Sequence, residues 1–229
     1  MTIDELIAEG ESLVRPCFLL TGTGSGRLGG YWGGERLDKP TALPPTATQL
    51  KSLRHIITID QTLLGELGLP GARSAAPLSL FEAIDVFDWE SHRLEREPSP
   101  SFSEISCTGE PLYAVPAKSF PPFEAVCLYG SARVEEWLRS QGKARHQYDS
   151  AFSSPVVRDY MDEFTDRAPM YSGEADAIIG GWHMCWPEDD FFMPLETRLV
   201  LTTIRDSEPF YEIWVARAVN NFSVKSRIA

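Results

Sequence analysis

The densest run of chemically useful side chains lies at positions 180–192, Gly-Gly-Trp-His-Met-Cys-Trp-Pro-Glu-Asp-Asp-Phe-Phe. It holds the only His-x-Cys pair. An imidazole at His183 two residues from a thiol at Cys185 is a base beside a nucleophile, or two donors for a soft metal. The metal reading fails on spacing, because no second Cys or His pair stands at zinc-finger distance. The Pro-Cys-x-x-Cys partner of a zinc deaminase is also missing. No metal and no cofactor is therefore expected. An enzyme of unspecified reaction, built on His183 and Cys185 with the nearby acids at 182–190, stays open as the alternative. A packed aromatic turn that buries Cys185 is a further reading of the same residues. The reading carried forward is recognition: Glu188, Asp189 and Asp190, flanked by Trp182 and Trp186, suit a basic, partly apolar protein partner.

Other templates fit less well. Gly24, Gly26 and Gly29 spell a dinucleotide pattern after a strand, but that mechanism needs a helix to open at the loop. Here Gly30-Tyr-Trp-Gly-Gly34 follows, which cannot propagate one. The stretch 22–34 reads instead as a hairpin tip that offers Tyr31 and Trp32 as a second set of contact residues. A nucleophile elbow needs glycines two residues either side of a serine, and neither Ser25 nor Ser131 has them. A phosphate loop and a His-Glu-x-x-His pair are absent. Asp85, Asp88 and Glu90 at a strand end are an acid–base candidate that more simply meets solvent. Asp159, Asp162, Glu163 and Asp166 form an acidic helix face, ordinarily solvated and able to add to a surface for a cationic partner.

The elements that would position these groups follow from periodicity. Thr2 and Glu5 make a capping box, and Ile3, Leu6, Ile7, Leu13 and Val14 recur at helical spacing until Pro16. Strands are expected at 17–21, 53–59, 78–89, 112–115 and 123–129. Asp60 caps a short helix over 61–67. Ser131 caps a helix over 132–141 that buries Val134, Trp137 and Leu138. Ser154 caps another, with Pro155 at its first position and Val156, Val157, Tyr160, Met161 and Phe164 on its apolar side. Strands at 199–204, 210–215 and 222–228 form a meander with two turns. The expected fold class is α+β: an antiparallel sheet with a C-terminal three-strand meander and three or four packed helices. A single domain over 1–229 is expected, with a loop or linker at the proline- and serine-rich 95–104.

Composition limits the function classes. The chain has 229 residues, 43% of them hydrophobic, so it can build a core without disulfides. Its 33 acids against 21 bases give a net charge of −12. A phosphate-binding surface needs clustered Lys and Arg, and no such run occurs, so nucleic acid is not an expected partner. An acidic exterior repels anionic membranes, and no apolar stretch is long enough to span one. The N-terminus lacks a positive n-region and carries Asp4 and Glu5, and the four cysteines fit no redox motif. A cytoplasmic protein with reduced thiols is expected.

In overall character (small, acidic, tryptophan-rich, without an export signal) the chain resembles the immunity proteins that bacteria pair with secreted toxins, most evidently over 180–214. The resemblance implies a non-enzymatic protein that masks a toxin's active surface by complementary charge and aromatic anchors. Trp182, Trp186, Glu188, Asp189 and Asp190 would carry that contact, with Tyr31 and Trp32 second.

Overall fold

Helix formation begins where the side chains satisfy the free amides. The Thr2 amide donates to Glu5 Oε2 at 2.8 Å, and the Glu5 amide donates to Thr2 Oγ1 at 3.3 Å. The structure, a computed structural model, describes residues 1–24, 26–37, 53–69, 77–83, 92–96, 101–145, 154–171, 173–182, 197–204, 210–216 and 221–227. Along the chain these form α1 (Ile3–Ser12), β1 (Arg15–Thr21), β2 (Arg27–Trp32), β3 (Leu53–Asp60), α2 (Thr62–Glu66), β4 (Pro77–Ala83) and β5 (His92–Arg96). Then come β6 (Glu110–Ser119), α3 (Phe123–Tyr129), α4 (Ala132–Ser140), α5 (Pro155–Arg167), β7 (Ala177–Gly180), β8 (Thr197–Thr203), β9 (Phe210–Ala216) and β10 (Asn221–Arg227). The class is α+β with an antiparallel sheet. No helix among the described residues is long and apolar enough to cross a membrane.

Two compact units emerge. The first comprises residues 1–17, 117–174 and 181–194 and carries α1, α3, α4 and α5. Its core gathers Leu6 of α1, Phe123 and Val126 of α3, Val134 and Leu138 of α4, and Val157, Tyr160 and Phe164 of α5. The expected apolar positions of α4 and α5 therefore face inward. The segment 123–129, expected as a strand, is helix α3. A short unbroken apolar run has no period that separates strand from helix. Here Phe123, Glu124, Ala125, Val126 and Cys127 are all buried, so the helix is covered on most of its circumference. With α3 the described helices number five rather than three or four.

The second unit, residues 18–116, 175–180 and 195–229, holds the sheet, ordered β10-β9-β8-β7-β1-β6-β2-β3-β4-β5. The pairings β2 with β3 and β6, β3 with β4, β4 with β5, β7 with β8, β8 with β9 and β9 with β10 are antiparallel. Strands β10 and β5, at opposite ends of that order, come close to one another in space, so the sheet curls. Ile57, Ile59, Leu78, Leu80 and Leu112 line one of its faces, fully buried with Leu63 and Leu64 of α2. Arg27 pins β2 to α2 by donating to Asp60 at 2.7 Å and to Thr62 and Glu66.

Several expectations change. The glycine-rich stretch is not a hairpin tip at Tyr31 and Trp32; both residues lie in β2, between β3 and β6. The register against β6 shifts between Leu28 and Gly30, leaving Gly29 as a bulge. A Cβ on Gly30 would sit 2.6 Å from the Thr58 carbonyl oxygen, and one on Gly29 2.9 Å from Leu20 and Ala114. The glycines are there for close strand packing, and no helix opens after them. The strand expected to reach 89 ends at Ala83; residues 84–90, with Asp85, Asp88 and Glu90, lie outside the described residues. Of the expected linker at 95–104, Glu95 and Arg96 end β5, and Phe102–Glu104 is a 3-10 turn closed by Ser101 and Glu104. Residues 97–100 are not described.

Because a backbone oxygen cannot yield as a side chain can, Gly30→Ala should destabilise the protein by about 1–3 kcal/mol. Urea unfolding of the variant, monitored by tryptophan fluorescence, should show a lower midpoint at unchanged slope.

Candidate functional site

Of the residues expected to make contact, Trp182 is described and Trp186, Glu188, Asp189 and Asp190 are not. The alternative pair His183 and Cys185 also lies outside the described residues. Tyr31 and Trp32 belong to the second unit. Trp32 packs against the aliphatic cluster, and Tyr31 sets its ring 5.9 Å from that of Phe102. Both are half-buried.

Trp182 belongs to the first unit and is held there from four directions. Gly181 precedes it with φ +80°, a left-handed conformation that L side chains rarely adopt. A Cβ there would stand 2.8 Å from Ser119 Cβ. The Trp182 amide donates to Ser119 Oγ at 3.0 Å. Its indole N–H donates to the Leu13 carbonyl at 2.8 Å. Leu13 is the C-cap of α1, and its carbonyl lies past the helix's own hydrogen-bond ladder. The indole thus closes a helix end.

Over the indole face lies a cation. The Arg15 guanidinium, at the start of β1, sits 3.1 Å from the Trp182 ring centre and 5.8 Å from that of Tyr129. The two rings are 5.5 Å apart and tilted by 49°. Such a stack contributes about 0.5–2 kcal/mol, depending on how far the cation is desolvated. Arg15 and Trp182 are half-buried, and Tyr129 is 38% exposed. Tyr129 ends α3, and Arg145 fixes that end. It donates Nη1 to the carbonyls of Cys127, Leu128 and Gly130 at 3.0–3.1 Å, and Nη2 to that of Ser131. Arg145 also bonds Glu135 of α4. The stack therefore rests on the closed ends of α1 and α3.

Two of the described thiols are held as poor nucleophiles. Burial pushes the Cys17 thiol up to about 12 and raises that of Cys127 further. Cys107 is half-buried and lies within bonding reach of the Gly33 carbonyl at 3.8 Å. Among the described residues no group of three or more His, Cys, Asp or Glu could hold a metal ion. What the arrangement can do is present a rigid, partly open surface of Trp, Tyr and Arg, the side chains enriched at the centres of protein interfaces.

Arg15 and Tyr129 were not among the expected contact residues. Tyr129 fell inside a segment read as a strand, and nothing in the sequence marks that residues 15, 129 and 182 meet. No family model matches this chain, and no curated protein matches it in sequence.

The two rings should differ in cost. Trp182→Ala removes the helix-closing bond, the stack and half-buried indole area, and should destabilise by about 2–3 kcal/mol. Tyr129→Ala, on the open side, should cost less than about 1 kcal/mol. Chemical denaturation of both variants measures the contrast.

Proposed function

We propose that this is a non-enzymatic, cytoplasmic binding protein that uses an acidic exterior and an aromatic anchor to cover a basic protein partner, in the manner of an immunity protein masking a toxin's active surface. The observation that carries the reading is the Arg15–Trp182–Tyr129 stack. It is assembled before any partner arrives, so little side-chain freedom is lost on binding. The acidic run Glu188, Asp189 and Asp190 follows Trp182 within eight residues of sequence. A net charge of −12 supports the choice of a basic partner, because complementary potential speeds encounter and rejects acidic competitors.

The test is affinity capture from the source cell followed by mass spectrometry, with the wild type and Tyr129→Ala run in parallel. The expected result is one basic protein retained in stoichiometric amount by the wild type. Its affinity should fall by about 30-fold in the variant, the loss expected at an interface anchor. Neutralising Glu188, Asp189 and Asp190 together should slow association and flatten its salt dependence. Identical retention by wild type and variant would count against the anchor. Turnover that vanishes in His183→Ala would replace the binding reading with the enzymatic one.

A further inference from the structure

The second unit contains a line of buried polar groups that binding does not use. Arg36 and His55 are each 5% exposed, and Thr58 and Ser79 are 0%. Arg36 Nη1 donates to Ser79 Oγ at 2.8 Å. Ser79 Oγ and Thr58 Oγ1 are 2.7 Å apart, as are Thr58 Oγ1 and His55 Nε2. His55 Nδ1 is 2.7 Å from the Gly33 carbonyl oxygen.

The chemistry at the two ends fixes the direction of every bond between them. A guanidinium has no acceptor, so Ser79 accepts from Arg36. A carbonyl has no proton, so His55 Nδ1 carries one and donates it to Gly33. In the neutral ring Nε2 is then bare and accepts from Thr58, which in turn accepts from Ser79. Each hydroxyl gives one proton and takes one. With an imidazolium, Nε2–H would donate to Thr58, and the Thr58 proton would lose its acceptor on the ring. Two cations would also share one buried line.

The surroundings favour the neutral ring. Burial lowers the affinity of His55 for a proton and is the largest influence; the Gly33 carbonyl opposes it, the Arg36 charge reinforces it, and the Ile57 backbone opposes it again. Phe81 of β4 lies 5.3 Å from the imidazole, ring centre to ring centre. Cys107 approaches the same Gly33 carbonyl at 3.8 Å. Elsewhere on β3 and β4, Arg54 pairs with Glu82, and Asp60 with Arg27. Strand β5 brings Glu95 opposite Ser79 and Arg93 opposite Phe81 in register.

We propose that His55 is a pH-sensitive latch: its protonation turns the Thr58 hydroxyl proton off the ring, sets a second cation on the buried line that Arg36 enters, and frees the 33–37 segment from the sheet. That segment is otherwise tied by Gly33 N–H to Ile56 O at 2.8 Å, Leu37 N–H to Ser106 O at 2.7 Å, and Thr108 N–H to Glu35 O at 3.0 Å. The folded ring takes up a proton less readily than the unfolded one. The latch is therefore closed above the ordinary histidine value, and its contribution is lost as the pH falls from there through the folded value.

Nitrogen-15 NMR and amide exchange on the full chain test this, with His55→Gln assigning the ring signal. At about pH 7.5 the ring should be the Nδ1–H tautomer, and its titration midpoint should lie below 6.5, the ordinary value. Corrected for intrinsic rates, exchange at Gly33, Leu37 and Thr108 should rise about tenfold by about pH 5. The Gly130 amide, bonded to Val126 O in the first unit, should hold its rate. In His55→Gln the acceleration should disappear. An Nε2–H tautomer, a midpoint at or above 6.5, unchanged protection of the three amides, or equal acceleration at Gly130 would each overturn the latch. If His55→Gln fails to fold, the wild-type tautomer, midpoint and exchange pattern decide the question alone.

Discussion

The pleat of a strand allows no freedom about which face a side chain takes, and two inserted residues control that choice in the central sheet. Successive residues alternate, so positions 55 and 58 of one regular strand would point to opposite faces. The register between β3 and β4 shifts between His55 and Ile57, which leaves Ile56 as the extra residue. Past that shift Thr58 stands beside Ser79, while Ile57 stands beside Leu80 on the other face. Before it His55 stands beside Phe81, on the Ser79 side of β4. One bulge thus sorts the aliphatic residues to one face and gathers the polar line on the other. Gly29 does the equivalent work in β2, where Trp32 reaches the aliphatic cluster and Tyr31 turns toward Phe102.

The first unit solves a different problem, that of holding a half-buried tryptophan still. An indole at a surface gains little from half-burial unless its N–H keeps a partner. The end of α1 provides one in the Leu13 carbonyl. The guanidinium over the ring then shields one face without closing the site. Removing water from that face strengthens the attraction, and the exposed side of Tyr129 remains available. Arg167 makes the same kind of contact inside the unit, 4.0 Å from the Phe120 ring, while also pairing with Glu11 and Glu163. There the cation joins helices, and nothing is presented to a partner.

Much of this was legible because local chemistry decided it. The capping box at Thr2 and Glu5, the Ser131 cap, and the inward faces of α4 and α5 all follow from contacts within a few residues. The helix over Phe123–Tyr129 was not legible, because Ala-Val-Cys-Leu suits the interior of either a strand or a helix, and tertiary packing made the choice. The glycines of β2 looked like loop residues, since their reason is the closeness of Thr58, Leu20 and Ala114, far away in sequence. His55 looked like one of four scattered histidines. Its partners at 33 and 58, and Ser79 beyond Thr58, come together only through strand register and one bulge. Trp182 is marked by its residue type, whereas Arg15 and Tyr129 are brought to it only by folding.

Charge and anchor answer different parts of the binding problem. Ion pairs at the exposed surface, such as Glu135 with Arg139, are each worth about 0–1 kcal/mol. A surface of acids therefore contributes little to a complex contact by contact. Its field still acts over about 8 Å at physiological salt, far enough to orient an approaching basic protein. A fixed tryptophan and tyrosine work only on contact, where the area they cover and the water they exclude slow dissociation. Acids without the anchor would give a fast, loose and salt-sensitive encounter. The anchor without the acids would be slow to find its partner and indifferent to charge. Tight, selective masking of a basic surface needs both, and so the net charge and the stacked rings belong to one proposal.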